Sequence, residues 1–348
     1  RPDEGETIDK IVKAMSGESE TTEKTYRHAI RTSHAKSTGL LKGTLEVLPG
    51  LPGPLAQGLF AKPGTYEVLV RFAQGPGEIL SDKVSTHRGM AIKVLGVQGE
   101  KLPGHIAETQ DFVLATGKSF PQSGAETFLQ AIRGLAASAA MPEGVKGAVS
   151  TVSRGLNAAY KSVVGEDSAT LGFFGHTPRH PLVDPYFSQA PLRHGDHVAK
   201  IGAFPAAAQV QALGTDPLDM GDDEDAFRTA MVNYFAGQDA AFDLRVQLNT
   251  DLDSMPIEDA NAEWPEERSP YVTVARITLP AQAAHSPARA SYFTDGLAFR
   301  PAHSLAAHRP LGSLMRARLQ VYGAMQALRA QRNGVAQKEP ANLAEVPD

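Results

Sequence analysis

The chain has 348 residues, 42% hydrophobic and 21% charged, a composition that supports a soluble globular fold with a sizeable core. Its formal net charge of −5 argues against nucleic acid or an anionic membrane surface as partner, since both select basic surfaces. Cysteine is absent, which excludes disulfides, thiolate catalysis, iron–sulfur clusters and Cys-ligated zinc or haem, so any metal must be held by His, carboxylate or Tyr.

Residues 1–26 are polar and acidic, with GESETTEK at 17–24, and read as a helical or loose N-terminal arm. From about 38 to 116 the pattern is strand-like. GLLKGTLEVL, TYEVLVRFA, HRGMAIKVLGV and DFVLAT are short, rich in β-branched residues and separated by Gly/Pro turns such as LPGLPGP at 48–54. Tyr66, Val68, Val70 and Phe72 alternate with Glu67, Leu69 and Arg71, which predicts one buried and one partly polar face. A helical insert follows over about 122–166, where AETFLQAIRGLAASAA and EGVKGAVSTVSRGLNAAYKSVVG carry 3.6-residue spacing. The Pro/Gly/His-rich stretch 172–205 reads as a long irregular loop, with strands resuming from about 197 and continuing to 280. Within that second run lie a helix near 223–237, the alternating segment Phe242–Leu248, and YVTVARITL. Residues 281–309 read as a wrapping loop and 310–332 as a helix that Pro310 opens, while 333–348 form a loose tail. Strands in both halves, with helices between and after them, predict an α+β chain with one antiparallel sheet or barrel in a single domain over 27–332. No apolar run approaches the ~18 residues needed to span a bilayer. Because the chain begins at Arg1 rather than Met, a removed leader stays open, and so does the compartment, cytoplasmic or periplasmic.

On the last helix, at about 100° per residue, Tyr322 lies about 40° around the axis from Arg318 and Arg329 about 20° from Tyr322. Leu311, Leu314 and Met325 complete that face, which is apolar except for one phenol and two guanidiniums. A bland account exists, because Arg and Tyr at i, i+4 often cover the edge of a core. The chemical account uses both arginines: a phenol ligates Fe(III) well only when a cation stabilises its phenolate, and Arg318 supplies that charge. Arg329, two turns on, is then in reach of a haem propionate. Near the N-terminus, RTSHAKSTG at 31–39 sets Arg31 three residues before His34, VRF at 70–72 supplies Arg71, and THRGMAIKV at 86–94 puts Arg88 beside a glycine. A single histidine among eleven is more often structural than catalytic.

These segments, taken in order with RLQVYGAMQALR, resemble the haem catalases. That family reads Arg-x-x-His-Ala-Lys/Arg-x-x-Gly, Val-Arg-Phe, Arg-Gly-Phe-Ala-Val-Lys, and Arg-x-x-x-Tyr with an Arg seven residues beyond the Tyr. PIEDANAEWPEERSPYVTVARITL at 256–279 and LAFRPAHSL at 297–305 resemble further family segments, so the similarity spans about 27–332. HRPLGSLMRAR and ETQDFVLAT are similar to the short catalase-related, peroxidase-like branch. The resemblance implies a catalase-like antiparallel barrel of about eight strands with helices outside, and haem b between barrel and last helix. It also implies Tyr322 as the iron ligand, Arg318 as its partner, His34 as distal acid–base group, Arg31, Arg71 and Arg329 on the propionates, and Phe120 near the haem. Hydrogen peroxide or an organic (lipid) hydroperoxide is the implied substrate, with an organic reductant as second substrate; a homo-oligomer stays open.

Two departures stand out. Aligning DFVLATGKSFP with the family's Asn-x-Pro-x-Phe-Phe puts Thr116 at the distal asparagine, and Ala73 stands where catalases carry a serine that supports the histidine. Weak oxygen evolution and peroxidase-like turnover are the expectation. One alternative is a barrel that binds haem or a fatty acid without turnover. Another, a hydrolase built on Ser33 or Ser37 with His34, lacks a nucleophile elbow. His176, His180, His194 and His197 lack the carboxylates a metal site would need and read as structural.

Overall fold

The computed structural model describes residues 3–138, 143–164 and 169–348. The first strand-rich region folds as a meander of β1 (Ser37–Val47), β2 (Gly64–Gln74), β3 (Arg88–Leu95) and β4 (Thr109–Ala115). Helices α2 (Ala125–Ser138), α3 (Glu143–Val164) and α4 (Ala169–Phe174) follow. Residues 139–142 and 165–166 of the predicted insert, and 1–2 of the arm, lie outside the described residues. The chain returns through β5 (Tyr186–Phe187), β6 (Leu192–His194) and β7 (His197–Pro205), then α5 (Ala208–Gln211), α6 (Ala226–Phe235), β8 (Ala240–Leu248) and β9 (Val272–Leu279).

Strand β9 pairs with β1, and β5 joins β4 to β7, so eight antiparallel strands close a barrel in the order β1-β2-β3-β4-β5-β7-β8-β9. Closure leaves no long edge strand to template aggregation. Apolar side chains from every long strand, among them Leu41, Val70, Phe72, Ile92, Phe112, Ile201, Phe242 and Ile277, fill the interior.

The stretch 172–205, read as an irregular loop with strands resuming from about 197, supplies the closing pieces β5 and β7. Strand β5 is two residues long and leaves no periodicity to read. The outer face of β2 is also more buried than its alternation predicts. Leu69 is covered because Phe293, Leu297 and Phe299 of the wrapping segment pack there, together with Val346, and Arg71 is buried as well.

The N-terminal arm is a helix, α1 (Glu4–Tyr26), whose Ile8, Ile11 and Met15 form an i, i+3, i+7 stripe against α2 and the last helix. After a short α7 (Pro287–Ser291), that last helix, α8, spans Ser313–Asn333 and not 310–332. Gly312 at φ 86° precedes it, and Pro310 bridges to Leu192 upstream. The tail after Asn333 is docked, not loose. Lys93, fully buried, bonds Asp111 at 2.7 Å and Glu339 of the tail at 2.5 Å, while Arg289 donates to the Pro347 carbonyl at 3.1 Å. A buried ammonium needs anionic partners, and the tail brings one of them. Asp111, His303 and Glu339 also converge closely enough to hold a cation, with the Lys93 ammonium already among them. Among the described residues no helix is long and apolar enough to cross a membrane.

Candidate functional site

The segment joining α1 to β1 carries Arg31 and His34. His34 has φ 55°, the left-handed region that costs a non-glycine residue roughly 1 kcal/mol or more. Three contacts hold it there: its N–H donates to Gly75 O at 2.9 Å, Ala35 N–H donates to Pro76 O at 3.0 Å, and Arg71 Nη2 donates to the His34 carbonyl at 2.6 Å. Arg71, on β2, also donates from Nε to Ser37 Oγ at 3.0 Å. That occupies one of the serines of the hydrolase reading; Ser33 Oγ donates to Gly75 O at 3.4 Å.

On α8, Arg318 Nη2 donates to Tyr322 Oη at 3.1 Å, with Nη1 on Met315 Sδ at 3.2 Å. The one-turn spacing therefore does what the helix geometry predicts. Arg31, His34, Arg71, Tyr322 and Arg329, from three separate parts of the chain, line one cavity of about 760 Å³. His34 and Tyr322 also line an adjoining space of about 1780 Å³, together with Arg318 and Phe120.

Charge in the smaller cavity is one-sided. Arg31, Arg71, Arg300 and Arg329 line it, and among the described residues no carboxylate does. Burial, then repulsion from Arg71 and Arg329, lowers the Arg31 pKa well below the usual guanidinium range. Burial and Arg329 lower Arg71 to about 9, and burial lowers Arg329 to about 10. The carboxylate that offsets Arg31 and Arg329 is Asp295, already bonded to His28 at 2.8 Å and Asn333 at 3.0 Å. Arg31 donates through Nη2 to the Phe293 carbonyl and to Leu297 O at 3.1 Å, while its Nη1 and the Arg329 Nε are buried without a partner. A pocket of mutually repelling, partly unsatisfied guanidiniums fits a dianionic ligand, because each added carboxylate relieves both costs. The residues present thus fit a haem with its two propionates. A phenol oxygen on the α8 wall supplies a hard ligand of the kind Fe(III) takes.

His34 is neutral at pH 7: burial above all, then His87, Arg71 and Arg318, holds its pKa well below 6.5. Its Nδ1 is buried with no hydrogen-bond partner, beside Ala73 in the cavity lining. The missing serine thus has a visible counterpart.

Thr116 is corrected. It lines neither cavity; its hydroxyl accepts from Arg88 N–H at 3.0 Å and its own N–H donates to Arg88 O at 2.9 Å. These bonds extend the β3–β4 ladder by a rung. Phe120 lines the larger cavity, its ring edge-on to Phe128 at 5.7 Å. Three of the four histidines of 172–205 have separate partners: His176 bonds Asp184 at 2.9 Å, His180 Nδ1 accepts from Leu182 N–H at 3.2 Å, and His194 bonds the Leu55 carbonyl at 3.1 Å.

Arg300 and His87 are among the lining residues that escaped the sequence reading. Arg300 stands in LAFRPAHSL where the family has asparagine, a difference visible in the quoted motif. His87 precedes Arg88 in THRGMAIKV, and its ring lies 5.3 Å from that of His34.

No family model and no curated protein matches the chain. Solved structures do. A fungal catalase superposes with TM-score 0.61 at 17% identity, over 89% of this chain and 62% of its own. Catalase A from Saccharomyces cerevisiae gives TM-score 0.59 at 17% identity, over 86% of this chain and 61% of its own. A bacterial catalase gives 0.59 at 16%, over 89% and 60%. The fold is therefore the catalase-like barrel with surrounding helices, in a chain spanning about three fifths of those catalases' length.

Proposed function

We propose that this chain is a haem-dependent oxidoreductase of the catalase-related, peroxidase-like type, acting on hydrogen peroxide or an organic hydroperoxide such as a lipid hydroperoxide. The observation that carries the proposal is the arginine-lined cavity without a carboxylate, bounded on one side by the Arg318–Tyr322 pair and on another by a neutral His34. Arg31, Arg71 and Arg329 hold the propionates, with Arg300 as a fourth cation. Tyr322 Oη would ligate the iron, with the Arg318 guanidinium donating a hydrogen bond to that oxygen. Haem, when bound, would supply the two-electron redox chemistry that peroxide reduction needs.

The remaining work belongs to side chains. Neutral His34 takes the proton of the hydroperoxide's inner oxygen at Nε2 and returns it to the departing oxygen, as general base and then general acid. Phe120, Phe128, Leu114 and Val113 give the larger cavity an apolar wall beside Glu18, Glu78 and Lys146, and that wall favours a hydroperoxide carrying a hydrocarbon group. No asparagine lines either cavity among the described residues, and Ala73 replaces the supporting serine, so oxygen evolution is weak beside oxidation of an organic reductant.

Titrating the protein with haemin tests the reading: a Soret band at one equivalent, followed by peroxide-dependent oxidation of a phenolic donor, is the expected result. A Soret band that peroxide leaves unchanged would favour the second reading, a non-catalytic barrel for haem or a fatty acid. The size and apolar lining of the larger cavity speak for that alternative.

A further inference from the structure

The polar groups expected around His34 are missing or committed elsewhere. Position 73 is alanine, the Thr116 hydroxyl is on Arg88, and the Gln189 amide donates to the carbonyls of Thr116, Gly117 and Ser119 at 3.0–3.2 Å. A second imidazole stands in the same cavity instead. The His87 ring meets His34 at 5.3 Å and 80°, and its other side stacks on Phe173 at 3.8 Å and 15°. Backbone fixes the pair as well: Gly75 accepts from His34 N–H and donates to the His87 carbonyl, each at 2.9 Å.

Two glycines make the arrangement sterically possible. A Cβ at Gly75 would lie 2.1 Å from His87 Cε1, and a Cβ at Gly89 would lie 2.7 Å from His34 Nδ1. Any other residue at either position would push a ring out of place.

The hydrogen bonding of His87 selects its tautomer. Nδ1 lies 3.3 Å from the Phe173 carbonyl, which can only accept, so Nδ1 carries the proton. Nε2 is then a lone-pair acceptor, with no hydrogen bond to any described residue, in a cavity-lining ring.

Resting on the function proposed above, we infer that His87 is a second peroxide-positioning residue whose Nε2 accepts the outer O–H of hydrogen peroxide while His34 addresses the inner O–H. The two imidazoles then hold the two hydroxyls of one H2O2 molecule. His34 moves the inner proton; His87 moves none and fixes the direction of the O–O bond. An acceptor differs from the amide donor of catalases in one chemical respect. It binds only an outer oxygen that carries hydrogen. An alkyl hydroperoxide has carbon there and gains nothing from His87, so this residue discriminates between the two substrate classes.

The test is the ratio of second-order rate constants for hydrogen peroxide and cumene hydroperoxide in the haem-loaded protein. His87→Phe keeps the ring stacked on Phe173 and removes the acceptor. It should lower the hydrogen peroxide constant about tenfold, the worth of one lost hydrogen bond, and leave the cumene hydroperoxide constant within about twofold. His87→Gln, which retains an acceptor, should recover part of the loss. In the haem-free protein, 15N NMR of the imidazoles should find His87 protonated on Nδ1. An equal fall for both peroxides, an unchanged ratio, or an Nε2-protonated His87 would overturn the inference and leave the proposed function standing. A wild-type protein that binds haem and consumes neither peroxide would overturn both.

Discussion

The two faces of the candidate haem site follow the catalase pattern to very different degrees. On the α8 and arginine side, Arg318 bonds Tyr322 at 3.1 Å, and Arg31, Arg71 and Arg329 line one cavity with Tyr322. On the His34 side only the histidine itself is kept. Its Nδ1 has no partner, Thr116 is withdrawn into the sheet, and His87 stands nearby in a role no motif announces. The difference teaches where each face gets its constraint. A site proposed to hold a dianion needs fixed positive charge, which the guanidiniums of Arg31, Arg71 and Arg329 carry permanently and present in a fork that matches a carboxylate. Orienting a small peroxide needs a polar group near the right point, and several residue types from several strands can supply one.

If the proximal face is the anchor, the largest effect belongs to Tyr322→Phe. Haem affinity should fall by two orders of magnitude or more while the fold persists, since Tyr322 is only half-buried and Phe keeps its ring. Haemin titration followed at the Soret band, with circular dichroism for the fold, measures both; unchanged affinity and spectrum would remove Tyr322 as the ligand. On the other face, His34→Ala should keep haem and slow peroxide consumption by about 10²–10⁴, the usual contribution of a positioned acid–base group. Stopped-flow rates equal to wild type would take His34 out of the chemistry and leave the distal face without a function.

What the sequence made legible follows the same division. Arg318 and Tyr322 share a helix, where spacing translates directly into geometry, and the strands β1 to β4, β8 and β9 declare themselves by alternation. The His34 backbone was not legible. Its left-handed φ comes from bonds to Gly75 and Pro76, residues more than forty positions away. Strand β5 was hidden by its two-residue length. The docked tail was hidden because Glu339 reads as a solvated charge until buried Lys93 is known to need it. Thr116 was misread for a related reason. Sequence alignment gives a residue its place along the strand, whereas the end of the β3–β4 ladder decides which way its hydroxyl turns.

Restoring the absent serine sharpens the contrast between the faces by a smaller step. Ala73→Ser adds one hydroxyl to the lining beside the unpartnered Nδ1, where an acceptor would fix the proton on Nδ1 and leave Nε2 free as the base. Oxygen evolution from hydrogen peroxide should rise several-fold, with haem affinity unchanged because no proximal group is touched. A fall in oxygen evolution would mean that the hydroxyl binds elsewhere and that His34 already holds its working tautomer.

The smallest effect on chemistry is expected at Thr116. A valine there has nearly the same shape and loses only the hydroxyl. That hydroxyl is the acceptor for Arg88 N–H, in a residue almost fully buried, so its loss leaves a buried donor unpaired. An unsatisfied buried N–H costs about 1–3 kcal/mol, which urea unfolding of the haem-free protein can resolve. Peroxide consumption, by contrast, should stay within about twofold of wild type, because Thr116 lines neither cavity. The two readouts therefore part company, with stability down and turnover kept. If instead Thr116→Val cuts the hydrogen peroxide rate tenfold or more and leaves stability intact, its hydroxyl works in the distal cavity after all. The division between the arginine-lined proximal face and the distal face would then have to be redrawn with Thr116 on the side of the chemistry.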